Sequence, residues 1–165
     1  GPMLLVGRTT ITADDTTATL HDKLAALGAE LIVEALAKLE KNQLPATKQP
    51  SAGVTYAEKI LKQEAAIDWN LPAQEIERRI RALQPFPVTQ TPWRGEALKI
   101  WRAKSLADEG DLPGALRITN AKRLIVGCGV GALEILELQR AGGKRLSTKE
   151  FLAGNKVAVG ERFGT

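Results

Sequence analysis

Val88-Thr89-Gln90-Thr91-Pro92-Trp93, Ala97-Leu98-Lys99-Ile100-Trp101-Arg102-Ala103 and Ala132-Leu133-Glu134-Ile135-Leu136-Glu137-Leu138-Gln139 decide the fold of this chain. Each run is short and rich in apolar or β-branched residues. Each is bounded by a turn signal such as Arg94-Gly95-Glu96 or Asn120-Ala121-Lys122. That combination predicts strands. Gly114–Thr119 and Arg123–Cys128 add two more runs of the same kind. Five short strands with turns between them fit a small closed sheet, an OB-like five-stranded β-barrel. Val157–Phe163 is long enough to add a terminal strand.

Working outward, the period changes on the amino side of the barrel. Ala73, Ile76, Ile80 and Leu83 recur at helical spacing. Asn70 is placed to cap this helix, with Pro72 in its first turn. Gln84-Pro85-Phe86-Pro87 ends it, because proline cannot continue a helix. On the carboxyl side, Ser147-Thr148-Lys149-Glu150 has the form of a capping box, opening a short helix that Gly154 closes. Residues 43–58 contain two prolines and a Ser-Ala-Gly step without periodicity, and read as a linker. Before them, Met3–Ile11 reads as a strand. Leu20, Leu24, Leu27, Leu31, Ala35 and Leu39 mark one long helix, with Thr19 as its expected cap. A single strand and helix cannot form a domain unaided, so residues 1–42 read as a strand-helix remnant of a larger domain. The apolar stripe of residues 19–39 is a surface for self-association if nothing else covers it. The expected class is mainly β with flanking helices.

Composition narrows the function. Apolar residues make up 44% and charged residues 25%, values of a globular chain. No apolar run approaches the roughly 18 residues that cross a membrane, and the amino end lacks the features of a secretory signal. One cysteine, Cys128, and one histidine, His21, exclude a disulfide framework and a Cys/His zinc site within this chain. A reducing cytoplasm is the expected compartment. The formal net charge is +4, unevenly spread: −2 over residues 1–58 and +6 over residues 59–165. Such asymmetry points to a polyanion partner for the second part.

Several stretches resemble methionyl-tRNA formyltransferases. They are Thr16–Ala29, Thr55-Tyr56-Ala57-Glu58-Lys59-Ile60, Ile67-Asp68-Trp69, Ile80–Pro87, Leu98–Ala103 and Leu138–Arg145. Each is weak, but their order runs over nearly the whole chain. One departure is Gln84-Pro85-Phe86-Pro87 where the family usually has Asn-Pro-Trp-Pro. The resemblance implies an enzyme that moves a formyl group from 10-formyltetrahydrofolate to the amino group of methionyl-initiator tRNA. It implies a Rossmann-like catalytic domain carrying an Asn-His-Asp set and the folate, joined by a linker to an OB-like tRNA-binding domain. Gly1-Pro2-Met3-Leu4 resembles the sequence that follows the family's catalytic Asp-Thr; Gly-Pro is equally the scar of a cleaved tag. On either origin, residues 1–42 are expected to be the end of the catalytic domain, 43–58 the linker and 59–165 the tRNA-binding domain. The chain alone is expected to hold no catalytic, cofactor or metal site and to be inactive in formyl transfer. His21 is expected at the surface of a helix, not as a catalytic base.

RNA affinity rests on cations that meet phosphates. The candidates are Lys59 and Lys62 after the linker, Arg78 and Arg81 on the short helix, and Lys99, Arg102, Lys122, Arg123, Lys144 and Arg145 on the barrel. The resemblance places a lysine at Lys59. Trp69, Trp93, Trp101, Phe86 and Phe151 stand among apolar residues and read as core, so backbone contact is expected rather than base stacking. Gly127-Cys128-Gly129-Val130-Gly131 precedes a strand, not a helix, and reads as a β-turn rather than a phosphate loop. Cys128 reads as a buried, inert thiol. Two other readings stand beside this one. The first is part of a sugar-nucleotide formyltransferase or formyltetrahydrofolate hydrolase; the second is a stand-alone RNA-binding module.

Overall fold

A computed structural model describes residues 1–107 and 111–164. It divides into two compact units, Gly1–Lys59 and Ile60–Thr165. Asp108 and Glu109 lie outside the described residues; Asp111, just after them, accepts a hydrogen bond from Arg117 Nε at 2.8 Å.

The first unit is built on α1 (Thr17–Glu40). Its cap is Thr16, one turn earlier than expected. Thr16 Oγ1 accepts from Thr19 N–H at 3.3 Å, and Thr19 Oγ1 accepts from Thr16 N–H at 2.9 Å. The helix starts here because Asp15 organises the approach. Its carboxylate accepts from Thr12 N–H at 2.7 Å, from Thr19 Oγ1 at 3.0 Å and from Lys23 Nζ at 2.7 and 2.8 Å. The Lys23 ammonium and the threonine donors hold the Asp15 carboxyl well below the usual carboxylate range. The group therefore stays ionised far into acid, and its contribution is lost only as pH falls through that depressed value.

Met3–Ile11 is not a strand. Among the described residues, Met3 is the one residue of this stretch in a β-bridge, exchanging backbone hydrogen bonds with Thr47 at 2.7 and 2.8 Å. β-branched residues favour extension, but a strand also needs a neighbour to pair with. Gly7 instead lies against α1, where an added Cβ would sit 2.9 Å from the Leu27 side chain. Residues 43–58 belong to this unit through Thr47. No residue of α1 is buried, and Leu24, Ile32, Val33, Leu36 and Leu39 are all exposed.

The second unit is the barrel. Its strands are β1 (Thr89–Trp93), β2 (Glu96–Leu106), β3 (Leu116–Ile118), β4 (Leu124–Gly127), β5 (Ala132–Arg140) and β6 (Leu146–Ser147). They run in the order β1-β2-β5-β4-β3, with β6 beside β5, and every pairing is antiparallel. The expected runs all carry strands; β6 is additional. The register of β2 against β5 slips around Trp101, and this bulge bends the sheet. The tail makes the closing contact between the two outer strands. On one side, Leu116 N–H donates to Glu161 O and Phe163 N–H to Gly114 O; on the other, Gly164 N–H donates to Pro92 O. Phe163, buried at 3%, stacks near Trp69 and Trp93 with ring centroids 5.7 and 6.4 Å away. The tail thus contributes a single bridge, Ala115–Arg162, and an aromatic plug instead of a full strand.

α2 (Ala73–Ala82) buries Ala73, Ile76 and Ile80 against this core. Burial of each isoleucine stabilises the unit by about 1.5–3 kcal/mol. Pro72, not Asn70, is the capping residue; Asn70 is turned back to Asp68, whose Oδ1 accepts from its backbone and side-chain nitrogens. α3 (Thr148–Gly154) begins at the Ser147–Glu150 capping box, as expected. Trp69, Trp93 and Phe151 are core, and Trp69 Nε1 donates to Thr91 Oγ1 at 3.0 Å. Phe86 is not core: it is 63% exposed, because the segment after α2 carries its ring outward. Gly127–Gly131 forms the β4–β5 turn, with Cys128 N–H donating to Gly131 O at 3.1 Å. Burial pushes the Cys128 thiol up to about 12, so it holds no reactive thiolate.

Candidate nucleic-acid interface

The antiparallel register of β2 and β5 decides which barrel cations are neutralised. Arg102 lies opposite Glu137, Lys104 opposite Glu134, and Lys99 opposite the neutral Gln139. Arg102 pairs with Glu137 at 3.3 Å, and Arg145 contacts the other oxygen of the same carboxylate. The Arg145 guanidinium also covers the Trp101 ring, 4.7 Å from its centroid. Trp101 Nε1 donates to Gln139 Oε1 at 2.9 Å, and Gln139 Nε2 donates to Gly143 O at 2.8 Å. This chain of contacts fixes the turn that presents Lys144. Arg123, on the approach to β4, grips Glu134 with two hydrogen bonds of 2.7 and 2.6 Å. The Arg123 guanidinium holds the Glu134 carboxyl below its usual range.

The sequence candidates therefore divide. Arg81 pairs with Glu77 at 2.9 Å, one turn away on α2. Arg81, Arg102, Arg123 and Arg145 each share their charge with a carboxylate. Lys62, Arg78, Lys99, Lys122 and Lys144 form no ion pair among the described residues; neither does Lys59, which closes the first unit. All but Lys99 are exposed, and Lys99 is half-buried. Exposed ion pairs stabilise by about 0–1 kcal/mol, so Arg102, Arg123 and Arg145, whose side chains are exposed, remain open to exchange with a phosphate, whereas Arg81 and Glu77 are both half-buried. The unpaired cations need no such exchange. Arg102 and Arg145 meet on Glu137, with Lys99 on the same strand as Arg102; Arg123 meets Glu134 further along β5, and Arg78 stands on α2.

Sequence reasoning misses Lys149 on α3 and Lys156 just after it. Sequence reasoning also misses the stacking of Arg145 on Trp101, which depends on the bulge and has no local signature. The described residues contain no group of His, Cys, Asp and Glu suited to a metal ion. None of their helices is long and apolar enough to cross a membrane.

The sequence pattern described as formyl transferase, C-terminal domain, matches residues 59–156. This chain belongs to that formyl transferase family. The matched part contains all six strands and α2 and α3, together with every candidate cation from Lys59 to Arg145. A protein of Dechloromonas aromatica named methionyl-tRNA formyltransferase is 54% identical over 163 residues, covering 99% of this chain and 52% of its own length. One of the same name from Burkholderia ambifaria is 52% identical, covering 99% of this chain and 50% of its own length. The chain thus spans about half the length of the curated relatives it matches. Among solved structures, a variant of HypX from Aquifex aeolicus superposes with a TM-score of 0.65 at 16% identity, over 87% of this chain and 27% of that one. A second HypX variant gives 0.61 at 17% identity, over 95% and 30%. At these identities the likeness is one of fold. It agrees with the mainly antiparallel, OB-like character of the formyl transferase C-terminal domain described above.

Proposed function

We propose that this chain supplies tRNA binding to a methionyl-tRNA formyltransferase, and that it carries none of the chemistry. The observation that carries the reading is the identity above 50% over 99% of the chain with proteins of that name. The unpaired cations support it: they suit a phosphate backbone and have no ion-pair partner among the described residues. In this reading the longer protein transfers a formyl group from 10-formyltetrahydrofolate to the amino group of methionyl-initiator tRNA. Residues 1–42 belong to its catalytic domain, 43–58 to the linker, and 59–165 to the tRNA-binding domain, in a cytoplasmic protein. In this reading the folate site and the formyl-transfer residues belong to the part of the longer protein that this chain does not span. Contacts to phosphate position the RNA; choice of the initiator rests elsewhere.

The test is binding of initiator tRNA to the chain and to its Lys59→Glu and Lys144→Glu variants. Each reversal weakens binding about tenfold, or about 1.4 kcal/mol, and does so equally for elongator tRNAs. Unchanged affinity in both variants contradicts the assignment. Both side chains are exposed, so the variants should melt as the parent does.

A further inference from the structure

Between α3 and the β3–β4 turn lies a cleft of about 450 Å³, lined by Ile118, Lys122, Lys149, Leu152, Lys156 and Val157 among others. Among the described residues no acidic side chain lines it. The three lysines are exposed and have no ion-pair partner among the described residues. The nearby acids are already engaged. Glu150 accepts from Ser147 at 2.8 and 2.6 Å, and Glu161 accepts from Arg94 and Trp93. The backbone also fixes two of the lysines in place. Lys122 holds a left-handed conformation, φ 57, closed by its N–H to Thr119 O at 2.9 Å. The Lys156 carbonyl accepts from Arg94 Nη2 at 2.5 Å. The floor is apolar: Leu152 and Val157 pack on the core, and Ile118 stays 38% exposed.

Three unneutralised ammonium groups around one concavity favour an anion of more than one charge. An apolar floor of this size favours a ligand that also has a flat, weakly polar part. A nucleotide has both, and the volume is in the range of small-ligand sites. We infer that this cleft is a nucleotide subsite, in which Lys122, Lys149 and Lys156 hold backbone phosphates of an RNA while one sugar or base lies over Ile118, Leu152 and Val157. The inference rests on the RNA-binding reading above and extends it to a face of the barrel that the sequence candidates touch only at Lys122. A lipid surface fits less well, because the apolar area is a recess and not an exposed band.

The experiment compares initiator tRNA binding, across a salt series, for the chain and its Lys122→Gln/Lys149→Gln/Lys156→Gln variant. The expected result is an affinity about tenfold or more weaker, with a salt slope shallower by about one for each phosphate that no longer meets a lysine. Equal affinity and slope in the triple variant, with Lys144→Glu still weakening binding, overturn the cleft and leave the RNA-binding reading standing. If neither change has an effect, both fall. Loss of binding to phosphatidylglycerol vesicles with tRNA binding unaltered overturns the cleft's assignment to RNA. Amine acetylation of the unaltered chain gives a reading independent of variant folding. Bound tRNA should protect Lys149 and Lys156; equal reactivity with and without tRNA overturns the inference.

Discussion

Replacing Gly129 with alanine is expected to destabilise the Ile60–Thr165 unit by about 3 kcal/mol or more. A Cβ at Gly129 would lie 1.8 Å from the Asn70 carbonyl oxygen and 2.6 Å from its carbon. Both are backbone atoms, so no side-chain rotation relieves the clash. Gly129 N–H also donates to Trp69 O at 2.9 Å and Leu71 O at 3.1 Å. The β4–β5 turn is therefore fastened to the chain just before α2. Moving it aside breaks those hydrogen bonds and lifts Trp69 from the core. In a unit of this size the melting temperature should fall by roughly 12 °C or more. Gly154→Ala is the control, because nothing lies within 4 Å of its added Cβ. Thermal unfolding followed by circular dichroism distinguishes the two; equal melting of Gly129→Ala and the parent would show that the turn does not pack as described.

Phe163→Ala is expected to cost about 3–5 kcal/mol, the range for a buried phenylalanine. Phe163 lies between Trp69 and Trp93, near the end of the chain, where residues 161–164 join β1 to β3. Removing the ring leaves a cavity and also loosens the closing contact of the barrel. Tryptophan fluorescence should shift to longer wavelength as water reaches Trp69 and Trp93. A variant with unchanged melting and emission would mean that the sheet is closed some other way.

Much of the barrel is readable from residue pattern. β1, β2 and β5 announce themselves because one face of each is mostly buried, β4 because it is apolar and buried throughout, and the turns carry glycine or asparagine, as at Gly95 and Asn120. Ile76 and Ile80 mark α2 for the same reason, since burial on one face imposes a period. The closing tail is another matter. Glu161-Arg162-Phe163-Gly164 has no alternation, and its role comes from where β1 and β3 end in space. Met3–Ile11 shows the opposite failure: its residues favour extension, but pairing depends on a neighbour that composition does not reveal. Local pattern favours Thr19 as the cap of α1, but Asp15, reaching Thr12 and Lys23, moves the start to Thr16.

The candidate interface is legible only as a set of cations. Which of them are neutralised depends on register. Arg102 meets Glu137, and Lys99 meets Gln139, because of a bulge at Trp101 that no local rule places. The apolar neighbours of Phe86 suggest core, yet the same short segment turns it to solvent. Lys149 and Lys156 escape a reading by pattern because α3 and the residues after it bring them to one cleft with Lys122, a residue far away in sequence.

The most direct test is the salt dependence of initiator tRNA affinity for the unaltered chain. If the unpaired cations from Lys59 to Lys144 each meet a phosphate, log affinity should fall against log salt with a slope of roughly −4 or steeper. Between about 50 and 200 mM salt that is a loss of about two orders of magnitude or more. A slope near zero, or no binding at low salt, would contradict the role assigned to these residues.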